Sequence, residues 1–254
     1  DFVKVIDQIS EEEISFLPKA IEKNIQAAEI GLRETSGMQL GKTLQKLVHE
    51  GLLEDTFLNR LKYTIAAASD ARMSGKKVPI TGCGGSGNHG ITFFITVGMA
   101  YKNFAMQPHR TLAKSLALGL LVLVAIKSQT GVLTPMCGCA VAAASAAAAS
   151  ITYAMGGNES QIAASIQLVL GNLIGMICDG AKFGCSLKTS TSGPIAVEAA
   201  LLALKNVILS KEGVIGESFQ ETLGNLAPLH KMGMKHVDAT IVDIMLTRQA
   251  ASKT

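Results

Sequence analysis

A mainly α fold with at most one or two short strands is predicted by three observations. Apolar residues recur at helical spacing along most of the chain, and capping signals precede several of these runs. Alternation at the period of a strand is confined to FVKVI near the start and KVPI at 77–80. The expected architecture is a compact multi-helix domain with Ala/Gly-rich core helices and Gly-rich loops that carry the chemistry.

The elements follow in order. Ser10 with Glu11, Glu12 and Glu13 reads as a capping box, and after Pro18 the residues Ile21, Ile25, Ala28 and Leu32 share one helical face that closes at Ser36 and Gly37. Leu40, Leu44, Leu47 and Val48 form the next stripe, ended by Gly51; Leu58, Leu61, Ile65 and Ala68 carry a third towards Ser74 and Gly75. An Ala-rich helix follows Cys139 and stops at Gly156 and Gly157, and Asn158 with Gln161 caps another whose last turn delivers Cys178. Gly193 and Pro194 are read as the start of a helix through Leu209, with a final helix over about 237–248. Residues 1–75 are expected to form an N-terminal helical segment packed on a helical catalytic domain at 76–254.

Composition narrows the function. At 254 residues and 48% hydrophobic content the chain can fill a large core without staples. Its 23 basic and 20 acidic residues are scattered and only 4% of residues are aromatic, so nucleic acid is not an expected partner. Five cysteines in no framework spacing, behind an opening without signal-peptide character, suit a reducing cytoplasm. The stretch between Lys127 and Glu159 has no charge and is long enough to span a bilayer. Its Ala, Gly, Ser and Thr content, with Gln161, Gln167 and Asn172 in the segment that follows, favours a closely packed core instead, and no membrane is expected.

Two loops interrupt the helices. TGCGGSGNHGI, at 81–91, has glycines dense enough for the backbone to curl several N–H groups around one anion, although it lacks a Walker lysine and its glycine spacing is a poor dinucleotide fingerprint. Read functionally it cradles a small carboxylate or phosphate, with Ser86, Gly87, Asn88 and His89 as binding groups and His89 as a base; read structurally it is a tight turn. The second constellation is of thiols: Cys137 and Cys139 open the Ala-rich helix, while Cys178 and Cys185 flank DGAKFG. An antiparallel helix pair would return all four to one end, where thiolates ligate metal, although the spacing lacks a zinc knuckle. Asp179 and Lys182 lie between two of them.

Together GCGGSGNHGI, PMCGCAVAAAS, MICDGAKFGCSLKTSTSGP and GMKHVDATIVDIM resemble the L-serine dehydratase alpha-like family, most closely its L-cysteine desulfidase branch, over nearly the whole chain. The resemblance implies a helical lyase domain carrying an iron–sulfur cluster, of 4Fe-4S type, held by three cysteines. It implies Cys178, Cys185 and Cys137 as ligands, with Cys139 the alternative to Cys137, and leaves Cys83 out. It further implies β-elimination on a small amino acid, L-cysteine or L-serine; for that reaction His89 and Lys182 are the expected catalytic groups and Ser86, Gly87, Asn88, Thr189 and Ser190 the expected substrate-binding ones. An upstream domain or companion chain, and a homodimer, are the macromolecular partners considered. The rival reading is a cluster-free helical module that is structural or binds a small anion.

Overall fold

The computed structural model describes residues 2–209 and 211–251, and these are helical with no sheet. In chain order the helices are α1 (Phe2–Gln8), α2 (Glu11–Ile14), α3 (Lys19–Arg33), α4 (Leu40–His49), α5 (Phe57–Met73) and α6 (Gly87–Asn103). They continue with α7 (Leu112–Thr130), α8 (Ala144–Ala154), α9 (Glu159–Leu173), α10 (Cys185–Leu204), α11 (Phe219–Pro228) and α12 (Val237–Ala251). A π-helical turn, Cys139–Ala143, leads into α8.

The Ala-rich helix α8 is the axis of the fold: every one of its residues is buried, and α6, α7, α9 and α10 pack around it. Alanine suits this place because a helix surrounded on all sides has no room for long side chains at interior packing density. Where the neighbours need volume they supply it, as with Phe93, Leu116, Leu118 and Val169. Helices from the first 75 residues enter the same cores. Ile6, Leu17 and Ile21 cluster with residues of α6 to α9, and Ala27, Ala28, Leu61 and Ile65 with Ile91, Ile151 and Val197.

Several local expectations hold in detail. Ser10 and Glu13 form a reciprocal capping box at α2, and Asn158 and Gln161 form another at α9. Four do not. FVKVI is helical, not extended, because Phe2, Val3 and Ile6 face the core as one helical stripe, with Ile6 fully buried. KVPI is extended but has no ladder partner; Val78 and Ile80 pack against helices instead. Cys178 is delivered not by the last turn of α9, which ends at Leu173, but by the segment after it.

The fourth correction concerns Gly193 and Pro194, which sit inside α10 and do not begin it. A proline costs a helix one N–H and crowds the carbonyl four residues earlier. The Ser/Thr hydroxyls before it bond other carbonyls, Thr189 and Thr191 those of Cys185 and Leu187, and Ser190 and Ser192 those of Leu187 and Lys188, so none replaces the bond lost at Ser190 O and it is packing against α5, α6, α8 and α9 that keeps the segment helical. Gly193 is there for close approach, since a Cβ would lie 2.2 Å from Ile65 Cδ1 of α5 and 2.9 Å from Thr96 Oγ1 of α6. α10 ends at Leu204, short of the expected Leu209.

Among the described residues one helix, α7, is long and apolar enough by length and composition to cross a membrane, and 56% of that span is buried against other helices.

Candidate functional site

The thiols are gathered by a short antiparallel pairing. Met136 bridges Ile177, Cys137 N donates to Met176 O at 2.8 Å, and Cys178 N donates to Pro135 O at 2.6 Å. Paired residues share a face, so Met136 and Ile177 occupy one side and Cys137 and Cys178 the other. Met136 is fully buried and fixes the register. Cys139 begins the π-helical turn and Cys185 the first turn of α10.

These thiols feel one another. The thiol of Cys139 lowers Cys137 well below the ordinary cysteine range by hydrogen bonding to it, with Lys188 adding a smaller contribution. The same bond, burial and the charges of Cys137 and Cys185 push Cys139 well above that range. The loop between Cys178 and Cys185 is pinned by Asp179, whose carboxylate takes both Lys182 Nζ and Lys188 Nζ. Lys188 Nζ also donates to Ile177 O at 2.7 Å, and Cys185 Sγ lies 3.6 Å from Gly180 O. Lys182 itself is largely on the surface, its side chain 46% exposed.

Among the described residues no three His, Cys, Asp or Glu side chains stand at the spacing that one metal ion needs. That spacing is the test for a single ion. The protein ligands of a four-iron cluster bind separate irons, so the relevant fit is a set of thiols at one end of the fold, one already favoured as thiolate, and this set has both properties.

The glycine loop comes to the same end. Cys83 and Ser86 exchange backbone hydrogen bonds of 3.2 and 3.1 Å across Gly84 and Gly85, whose φ values of 54° and 81° make a tight hairpin turn that side chains disfavour. α6 starts immediately after, placing Asn88 and His89 in its first turn, both buried. The His89 ring packs onto Gly138, between Cys137 and Cys139: a Cβ there would lie 2.2 Å from His89 Nε2. Burial holds His89 down at about 4, helped by the charge of Lys127 and less by that of Arg72 and opposed by the backbone of Cys83 and Gly84, so the ring is neutral near pH 7; Nδ1 makes no well-formed hydrogen bond. Cys83 is half-buried in the turn and its thiol is pushed up to about 12 by burial.

Two cations and an acid that no local motif announces complete the surroundings. Arg72, from the end of α5, donates from Nη1 to Asn88 Oδ1 at 3.1 Å and lies over Gly87. With Ile80 and the run from Gly82 to Gly87 it lines an open cleft of about 590 Å³. Lys127 is buried at the end of α7 and donates to Val132 O at 2.7 Å, and the side chain of Val132 rests on Gly85. Asp70 is buried one turn from the end of α5, where Oδ2 accepts from Gly41 N at 3.0 Å; burial raises its pKa. The hydroxyl of Thr189 meets Ser69 Oγ at 2.8 Å in the contact between α5 and α10, and Ser190 bonds within its own helix. His89 is thus brought to the CGC segment and Gly87 and Asn88 to Arg72, whereas Thr189 and Ser190 are engaged in helix packing.

The sequence model of a family described as the serine dehydratase alpha chain matches residues 3–243. A UPF0597 protein of Alkaliphilus oremlandii is 41% identical over 246 residues, covering 96% of this chain and 57% of the relative. One from Desulfatibacillum aliphaticivorans is 38% identical over 96% of this chain and 56% of its own length, and one from Clostridioides difficile 37% over 96% and 57%. The chain therefore spans somewhat more than half the length of these relatives.

Proposed function

The chain belongs to the serine dehydratase alpha chain family, and on that footing we propose that it carries the catalytic centre of an iron–sulfur-dependent lyase acting on a small L-amino acid. The reaction is β-elimination: L-cysteine gives pyruvate, ammonia and hydrogen sulfide, and L-serine gives pyruvate and ammonia with water as leaving group. The observation that carries this reading is the seating of His89 on Gly138, which joins an anion-binding turn to the thiol-bearing segment.

Cys178, Cys185 and Cys137, with Cys139 the alternative to Cys137, would hold the cluster. When bound through three thiolates it supplies an open iron, a Lewis acid for the departing sulfide or hydroxide. The remaining work falls to side chains and backbone. Ser86, Gly87 and Asn88 fix the substrate's polar head so that the α-proton is presented in one orientation. His89, neutral near pH 7, takes that proton on its imidazole. The α-electron pair then forms the double bond as the β-substituent leaves, and the aminoacrylate tautomerises and hydrolyses in water. Lys182 and Lys188, tied to Asp179, balance thiolate charge near Cys178 and Cys185.

A cytoplasmic setting and a contribution from the rest of a longer protein, as an upstream domain or companion chain, belong to the same proposal. The test is anaerobic purification and reconstitution of the full-length protein with iron and sulfide, followed by iron analysis and assay of pyruvate from both amino acids. Cluster absorbance with pyruvate release is expected. Protein that retains no iron and releases no pyruvate from either substrate would leave the cluster-free anion-binding module as the better reading.

A further inference from the structure

Arg72 is a guanidinium without a carboxylate. Among the described residues no acidic side chain pairs with it, and both of its side-chain hydrogen bonds, to Asn88 Oδ1 and Met73 Sδ at 3.1 Å, run from Nη1. Nη2 and Nε are left for something else. Asn88, only 5% exposed, holds the group in place, and the guanidinium is pressed so closely over Gly87 that a Cβ there would lie 2.2 Å from Nε. The cleft of about 590 Å³ that Arg72 lines is otherwise walled by Ile80, Cys83, Ser86 and four glycines, so no side chain of opposite charge faces it from within.

The electrostatics of the neighbourhood agree. His89, which is 6% exposed, feels the positive charges of both Lys127 and Arg72, and its Nδ1 faces the Gly84 backbone, 3.5 Å from where a Cβ would be. An unneutralised arginine fork in a cleft lined mainly by glycines, with no acidic side chain in it, has the chemistry of a carboxylate site: the planar fork matches two carboxylate oxygens.

We infer that Arg72 is the anchor for the substrate α-carboxylate, gripping it through Nη2 and Nε in the cleft bounded by Gly82 to Gly87. This rests on the lyase reading for the identity of the substrate and deepens it. Asn88 becomes the residue that orients Arg72, and the glycines keep the approach to the fork open.

The test separates this inference from the reaction. The probe is L-alanine, which has the amino acid frame and no β-leaving group, with ethylamine as the counterpart lacking a carboxylate. L-alanine should raise the Tm of the intact protein and ethylamine should not. Arg72→Gln should weaken L-alanine binding by about 10- to 100-fold, the range expected on loss of a charged hydrogen-bonding partner. Arg72→Lys, which keeps the charge and loses the fork, should weaken it by roughly tenfold. In loaded enzyme KM should rise by a larger factor than kcat falls. Unchanged L-alanine affinity in Arg72→Gln overturns the anchor; should that variant fail to fold, unchanged affinity in Arg72→Lys does the same. Binding of L-alanine through Arg72 without any pyruvate from loaded protein sinks the lyase reading and keeps the anchor, whereas pyruvate formation at an unchanged KM in Arg72→Gln does the reverse.

Discussion

His89 makes folding stability depend on pH in a direction that can be worked out. Burial lowers its pKa from 6.5 to about 4, so between those values the unfolded chain binds a proton that the folded chain refuses. Stability from this group is complete above pH 6.5, falls as the pH drops towards 4, and is constant below. The full span corresponds to on the order of 3 kcal/mol. In cluster-free protein, His89→Gln should flatten this part of the profile, and thermal melts of both proteins at pH 4.5 and 7 will show it; an equal drop in both would clear His89 of the effect. At Asp179 the two lysines are unequal. Lys188 also holds Ile177 O and contributes to lowering Cys137, so Lys188→Met should lose bound iron more readily than Lys182→Met on anaerobic gel filtration. His89, the glycines and the thiols were legible in sequence because each stands in a local pattern. Arg72, Lys127 and Lys188 were not, because a lone cation in a helix looks the same whether its partner is solvent or a site assembled from a distant segment.

At the scale of elements, α10 is the joint between core and site. Its first residue is Cys185, and Gly193 at its middle admits Ile65 and Thr96 into contact. Gly193→Ala should push α10 away from α5 and α6, at a cost of about 1–3 kcal/mol for overpacking. Melting will register that loss, and iron retention should fall with it because Cys185 moves with the helix. Glu198→Gln, an exposed change on the same helix, serves as the control. The same dipeptide explains the misplaced helix start. Gly-Pro is punctuation in most sequences, and only the close approach of two other helices at Gly193 lets the helix run through. The pairing of Pro135–Cys137 with Met176–Cys178 is the opposite case, where the thiols were visible but the residues that join them had no strand signal of their own.

For the molecule as a whole, α8 sets the tolerance of the fold. All its residues are buried, so Ala148→Leu forces three more carbons into a packed axis and should lower Tm by roughly 5 °C or more, whereas Ala251→Leu on the exposed α12 should change it little. α12 buries no side chain, and Val242, Met245 and Leu246 are more than half exposed, in a chain that spans only 57% of a relative such as that from Alkaliphilus oremlandii. The sequence by itself determined the helical class, the capped helix starts at α2 and α9, and the two loops rich in glycine and cysteine, because periodicity, caps and turn chemistry act between residues a few positions apart. Only the tertiary structure decided that FVKVI is a helix, that α10 continues through Gly193 and Pro194, and that His89 rests on Gly138 with Arg72 over Gly87. Each of those depends on packing between segments tens of residues apart, where burial and close approach outweigh local preference.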